Sequence, residues 1–140
     1  MMSMTMTNTD PVATAPGSDL AAECRKIAAL LNTFKFTFEN EKELQGGIES
    51  VLTSARFVFK REVPLGGRQN IIDFLIEPTI GLEVKIQSGL SSVTRQLYRY
   101  AESDKITHLI LVTSCMRHTQ IPAEMVSKPL TVIHLIGSVF

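Results

Sequence analysis

An aspartate stands inside one apolar run, Ile71-Ile72-Asp73-Phe74-Leu75-Ile76. Ten residues later a glutamate and a lysine alternate with apolar neighbours in the next run, Leu82-Glu83-Val84-Lys85-Ile86. Short runs of this kind bounded by turn residues read as strands. Residues two apart on a strand face the same way, so Glu83 and Lys85 share a face and Val84 points opposite. Asp73 shares its face with Ile71 and Leu75, while Ile72 and Phe74 point away. Pairing across the Glu77-Pro78 turn then sets Asp73 beside Glu83. Burying three ionisable groups among apolar residues costs stability unless they are paired or bind a cation. Two adjacent carboxylates raise one pKa unless a positive charge neutralises them. Oxygen donors of this kind select Mg²⁺ or Mn²⁺ over softer metals. The chemistry to expect is metal-assisted attack on a phosphodiester, with Lys85 stabilising charge on the phosphate or helping to deprotonate the attacking water.

The elements that must position these groups are legible around them. Residues 1–17 are rich in Thr, Met and Pro without a period and read as a disordered tail, leaving 18–140 as a single domain. Leu20, Cys24, Ile27 and Leu31 repeat at helical spacing after Ser18 or Asp19, which predicts a helix over about 18–32. Phe34, Phe36 and Phe38 alternate with polar residues as a short extended segment. Asn40 is an N-cap for a second helix, Glu43 completes a capping box, and Leu44, Ile48, Val51, Leu52 and Ala55 form its buried stripe. Gly46-Gly47 weakens that helix and lets another backbone or a ligand come close. Strands follow over 56–63, 69–76 and 80–86, joined by the Pro64–Gly67 and Glu77–Thr79 turns, which makes an antiparallel meander. Ser91 or Ser92 caps a helix running to about Ser103. The almost wholly apolar stretch 106–113 is a central strand covered on both faces. A short helical turn after Ile121-Pro122 and a strand over 131–136 complete the chain.

The helix after the third strand carries Arg95-Gln96-Leu97-Tyr98-Arg99-Tyr100, with Gln96 and Tyr100 four apart on one face and Arg99 beside Gln96. Asp73, then Glu83-x-Lys85, then Gln96-x-x-x-Tyr100, resembles the PD-(D/E)xK nuclease superfamily. The Gln-x-x-x-Tyr part is similar to the signature of its RecB-like exonuclease branch. The resemblance covers about residues 39–114, with Ile72 in place of the signature proline, a chemically neutral change. It implies an α/β fold with a restriction-endonuclease-like core: helix, three-stranded antiparallel meander, helix, strand, in a mixed central sheet flanked by helices. It also implies Mg²⁺ (or Mn²⁺) bound by Asp73, Glu83 and the backbone carbonyl of Val84, with Lys85 acting on the water or the developing charge. Gln96 and Tyr100 would position the scissile strand or the water, and Arg99 a phosphate. Members of the family often draw another acid from the first core helix. Glu41 lies on the stripe of Leu44, Ile48 and Leu52 and is the first candidate. Glu43 comes next, with its capping role as the competing explanation, and Glu49 sits off the stripe.

Arg56, Lys60, Arg61 and Arg68 cluster near this machinery, and Arg95 and Arg99 lie on the later helix. Arg61, Arg68, Arg95 and Arg99 are the residues expected to neutralise phosphates. The formal net charge is zero, so attraction to nucleic acid must come from such a local patch rather than a global field. His108, His118 and His134 have no spaced partners and read as structural, His118 least securely because it follows a core strand. Cys24 and Cys115 match no metal-ligand spacing and read as reduced thiols. With no secretory signal and no apolar run near 18 residues, the expectation is a cytoplasmic protein away from membranes. The reading is a Mg-dependent deoxyribonuclease acting on nucleic acid, more on DNA than RNA. Its rival is a non-catalytic nucleic-acid- or protein-binding module, a subunit or inhibitor that keeps the nuclease fold. A chain this small also fits a homo-oligomer or a place in a larger nucleoprotein complex.

Overall fold

Proline opens the first helix: Pro16 begins α1 (Pro16–Asn32), where its fixed φ suits the first turn and its missing N–H costs nothing. The computed structural model describes residues 16–135, so most of the expected tail and the end of the expected last strand lie outside it. Cys24, Ile27 and Leu31 are the buried stripe of α1. Phe36 and Phe38 are buried in the following extended stretch, while Phe34 is exposed.

Helix α2 (Glu41–Ser54) starts at Asn40, whose Oδ1 accepts from the Glu43 N–H at 2.8 Å. Glu43 Oε1 returns the contact one residue earlier than a standard capping box, accepting from the Glu39 N–H at 2.8 Å. Leu44, Ile48, Val51 and Leu52 are buried as expected. Ala55 is not: it is the exposed C-cap, beyond the last turn that faces the core. Gly47 accommodates the Phe36 ring, since a Cβ there would lie 2.9 Å from it.

The strands are β1 (Phe59–Pro64), β2 (Ile71–Ile76), β3 (Ile80–Lys85), β4 (His108–Thr113), β5 (Glu124–Met125) and β6 (Lys128–His134). They form a mixed sheet of order β1-β2-β3-β4-β6-β5. β1, β2 and β3 make the expected antiparallel meander. β4 joins parallel to β3 and β6 parallel to β4, with β5 antiparallel to β6. Helix α3 (Leu90–Ala101) supplies the crossover between β3 and β4. α1 and α2 cover one face, where Phe74, Leu82, Val84 and Val112 pack with them. α3 covers the other, against Leu109, Leu111 and Leu130. All six residues of β4 are buried, as a strand covered on both sides requires.

Several expected boundaries move for local reasons. β1 begins at Phe59 rather than Arg56, because Arg56 has a left-handed backbone (φ 68°) that turns the chain off α2. α3 starts at Leu90 with Gly89 as N-cap, and neither Ser91 nor Ser92 caps it. The helical turn near Pro122 lies before it, at Met116–Gln120, because the residue preceding a proline is held extended. β6 begins at Lys128, three residues before the expected start.

One correction concerns strand phase. Phe74 and Ile76 pack with α1 and α2, but Ile72 packs on the α3 side. It lies over Gly81, where an added Cβ would come within 2.5 Å of it. The alternation breaks at Asp73, opposite Glu62, whose φ of 52° interrupts the β1–β2 register between Arg61↔Phe74 and Val63↔Ile72. Ile72 and Phe74 therefore do not share a face.

Candidate active site

The β2–β3 ladder runs from Ile76↔Ile80 to Phe74↔Leu82 and goes no further. Past that point carboxylates, not main-chain pairs, bridge the strands. The Asp73 N–H donates to Glu83 Oε1 at 3.2 Å, and the Val84 N–H donates to Asp73 Oδ2 at 2.8 Å. Each acid is thus held by the backbone at or beside the other, and both point into the gap. Lys85 Nζ lies 3.2 Å from Glu83 Oε2. The phase argument from the sequence holds for Asp73, Glu83 and Lys85, which the structure brings together.

Glu83 is only 3% exposed. Burial pushes its carboxyl to about 8, the charge on Asp73 adds to the rise, and Lys85 offsets part of it. Burial also raises Asp73, against the lowering effects of the Val84 N–H and Lys85, with Glu41 adding repulsion. Two acids share one ammonium, so full ionisation of the pair leaves one negative charge uncompensated.

Glu41 reaches the end of β3, where its Oε2 accepts from the Ile86 N–H at 3.1 Å. Glu43 is spent on capping, and Glu49 pairs with Arg61 at 2.7 Å. Of the three, Glu41 is the one whose charge is felt at Asp73.

Tyr100 is fully buried, and its hydroxyl donates to the Ile71 carbonyl at 2.8 Å while accepting from Gln96 Nε2 at 2.8 Å. Burial raises its phenol, as do the nearby charges of Glu83 and Asp73. Tyr100 therefore acts through β2, bracing the strand two residues before Asp73. Gln96 stays partly exposed beside it.

The four arginines do not form one patch. Arg61 is locked over the Phe74 ring at 4.5 Å, with Nη1 on Glu49 and Nη2 on Gln45, both at 2.7 Å. These contacts make it a clamp between β1 and α2 rather than a free phosphate ligand. Arg68 and Arg99 line one open cleft of about 440 Å³ beside the Gly66-Gly67 turn. Arg95, one turn before Arg99 on α3, lines a different cleft with Leu90 and Thr94. Gln45 and Glu49 were missed as site-supporting residues. Their signal was the four-residue spacing Glu41-Gln45-Glu49, a polar stripe on α2 beside the apolar one.

Among the described residues, no three Asp, Glu, His or Cys side chains converge to hold an ion. The oxygen donors at the gap are the two carboxylates, with the Val84 backbone where the strands part. Among the described residues no helix is long and apolar enough to cross a membrane. Comparison with protein-family models, curated proteins and solved structures found no match to the chain.

Proposed function

We propose that the chain is a divalent-metal-dependent nuclease that hydrolyses phosphodiester bonds, with DNA as the favoured substrate. The observation that carries this reading is the opened β2–β3 ladder, where Asp73 and Glu83 face one gap beside Lys85. A buried and a half-buried oxygen acid, together short of positive charge, are a donor set that suits Mg²⁺ or Mn²⁺. Asp73 and Glu83 would hold the ion with the Val84 carbonyl, and Glu41 stands close enough to be felt at Asp73. Such an ion, when bound, lowers the pKa of its water and polarises the phosphoryl oxygen.

The protein's own part is orientation and charge. Lys85, beside Glu83, would place an ammonium where negative charge develops on the phosphoryl oxygens. Gln96 offers an amide at the rim. Arg68 and Arg99 hold the flanking backbone in their cleft, with Arg95 further along α3.

Cleavage of single-stranded, duplex and branched DNA, with and without Mg²⁺ or Mn²⁺, tests this reading. Activity that needs the metal and disappears in Lys85→Ala supports it. No cleavage of any substrate by the wild type, or cleavage that survives both Asp73→Ala and Glu83→Ala, overturns it. One observation favours the rival binding module: Glu83 is almost inaccessible and already paired with Lys85. DNA binding that is metal-independent and unaccompanied by cleavage selects that rival.

A further inference from the structure

Four successive carbonyls follow into the segment after β3, and each is taken up. The Ser114 N–H donates to the Lys85 carbonyl at 3.2 Å and Ser114 Oγ to that of Ile86 at 3.0 Å. Ser88 Oγ donates to the Gln87 carbonyl at 2.6 Å. His118 Nε2 lies 3.0 Å from the Ser88 carbonyl. That last contact comes from a side chain with no solvent exposure.

The partners define the ring's proton. A carbonyl only accepts, so Nε2 carries the hydrogen. Nδ1, 2.6 Å from Thr113 Oγ1, then accepts from that hydroxyl. Thr113 Oγ1 accepts in turn from the Cys115 N–H at 2.9 Å. Both ring nitrogens are used, and these partners fit the Nε2–H tautomer.

This chain of bonds sits where α3 lacks an anchor of its own. Its N-cap is Gly89, without a side-chain cap. The start of the helix that carries Gln96 and Tyr100 is therefore held from outside, at Ser88, while Tyr100 ties its far end to Ile71.

We propose that His118 is a positioning residue of the site. By gripping the Ser88 carbonyl it sets the segment from Lys85 to Leu90, and with it the placement of the Lys85 ammonium and the Gln96 amide against the Asp73–Glu83 gap. The catalytic consequence rests on the nuclease reading; the geometric one does not. Glutamine at this position can put an amide N–H where Nε2 stood, whereas leucine cannot. Thr113→Val removes the hydroxyl that fixes the tautomer and keeps the shape.

Wild type, His118→Gln, His118→Leu and Thr113→Val are compared in Mn²⁺-dependent cleavage and in amide hydrogen exchange. Ring ¹⁵N shifts report the tautomer. His118→Leu is expected to lose about 10- to 100-fold in kcat with KM within about 2-fold, the signature of misplacement rather than lost binding. Exchange at Ile86 and Val93, whose N–H groups are held by Glu41 and by the Gly89 carbonyl, should rise about 10-fold or more while β4 stays protected. His118→Gln should recover most of both, and the wild-type ring should show the Nε2–H form. Wild-type kcat and protection in His118→Leu, or His118→Gln behaving no better than His118→Leu, overturns the proposal. If the wild type cleaves nothing, the nuclease reading fails, and exchange and tautomer still decide the role of His118. If His118→Leu does not fold, His118→Gln and Thr113→Val decide it: native protection at Ile86 and Val93 in the first and loss in the second uphold the role, and the reverse overturns it.

Discussion

Two buried polar clusters flank Lys85, and they are satisfied in different ways. Thr113, His118 and the Ser88 carbonyl form a chain in which each donor meets an acceptor. Asp73, Glu83 and Lys85 also touch partners, yet there two acids share one ammonium in a place that burial makes hostile to charge. The contrast separates two uses of buried polarity. A cluster whose hydrogen bonds are complete holds backbone in place. A cluster with charge left over retains affinity for something the protein does not supply.

Removing one member from each cluster sharpens the contrast, because stability should move in opposite directions. Asp73→Asn or Glu83→Gln is expected to lower Mg²⁺-dependent cleavage by about 10³-fold or more while raising the melting temperature of the metal-free protein at pH 8. Initial rates and thermal melts check both halves. A variant that loses activity and stability together would return the acids to a structural role. His118→Leu should instead cost about 1–3 kcal/mol in urea unfolding, since it leaves the Ser88 carbonyl without its donor and the Thr113 hydroxyl hydrogen without an acceptor.

Titration distinguishes the clusters again. In the unfolded chain Asp73 and Glu83 ionise near 3.8 and 4.5, whereas in the fold burial holds both protons to higher pH, to about 8 for Glu83. Below the unfolded values both states carry the protons and this contribution to stability is complete. As pH rises from there only the unfolded chain releases them, so metal-free stability falls until Glu83 ionises in the fold as well. Melts from pH 5 to 9 in a chelator should decline, Glu83→Gln should remove most of the decline, and Mn²⁺ should flatten it. A flat metal-free profile would show that the pair is not short of positive charge.

The arginines supply the smaller effects. Arg61→Lys keeps the charge but loses the fork to Glu49 and Gln45, and should destabilise by about 1 kcal/mol with little change in DNA affinity. Arg68→Ala and Arg99→Ala should leave stability alone and each reduce the salt slope of DNA binding by about 1. The opposite assignment, with Arg61 governing the slope, would dissolve the distinction between clamp and cleft.

These differences also mark what the chain alone discloses. The alternation of Glu83 and Lys85, the isolated strand acid Asp73, the meander and the buried β4 are all local patterns, and local patterns survive folding here. The phase of Ile72 was hidden, because alternation assumes a regular strand and the break depends on a left-handed residue, Glu62, in the neighbouring strand. The cap of α3 was hidden too: Ser91 and Ser92 are better capping residues than Gly89, but His118, thirty residues from Ser88, fixes where the helix begins. Arg61 looked like part of a basic patch because its partners are twelve and sixteen residues away and meet it only where α2 packs on β1. What escaped was tertiary: the backbone of a neighbouring strand for Ile72, and for Arg61 and the start of α3 a polar side chain that reached a partner from another element.

The central claim is that the Asp73–Glu83 gap is a divalent-cation site. Crystals soaked in Mn²⁺ test it most directly through anomalous density. A peak is expected between the two carboxylates, with Lys85 withdrawn from Glu83 and the peak lost in Asp73→Asn. An empty gap at saturating Mn²⁺, with Lys85 still paired to Glu83, would contradict it.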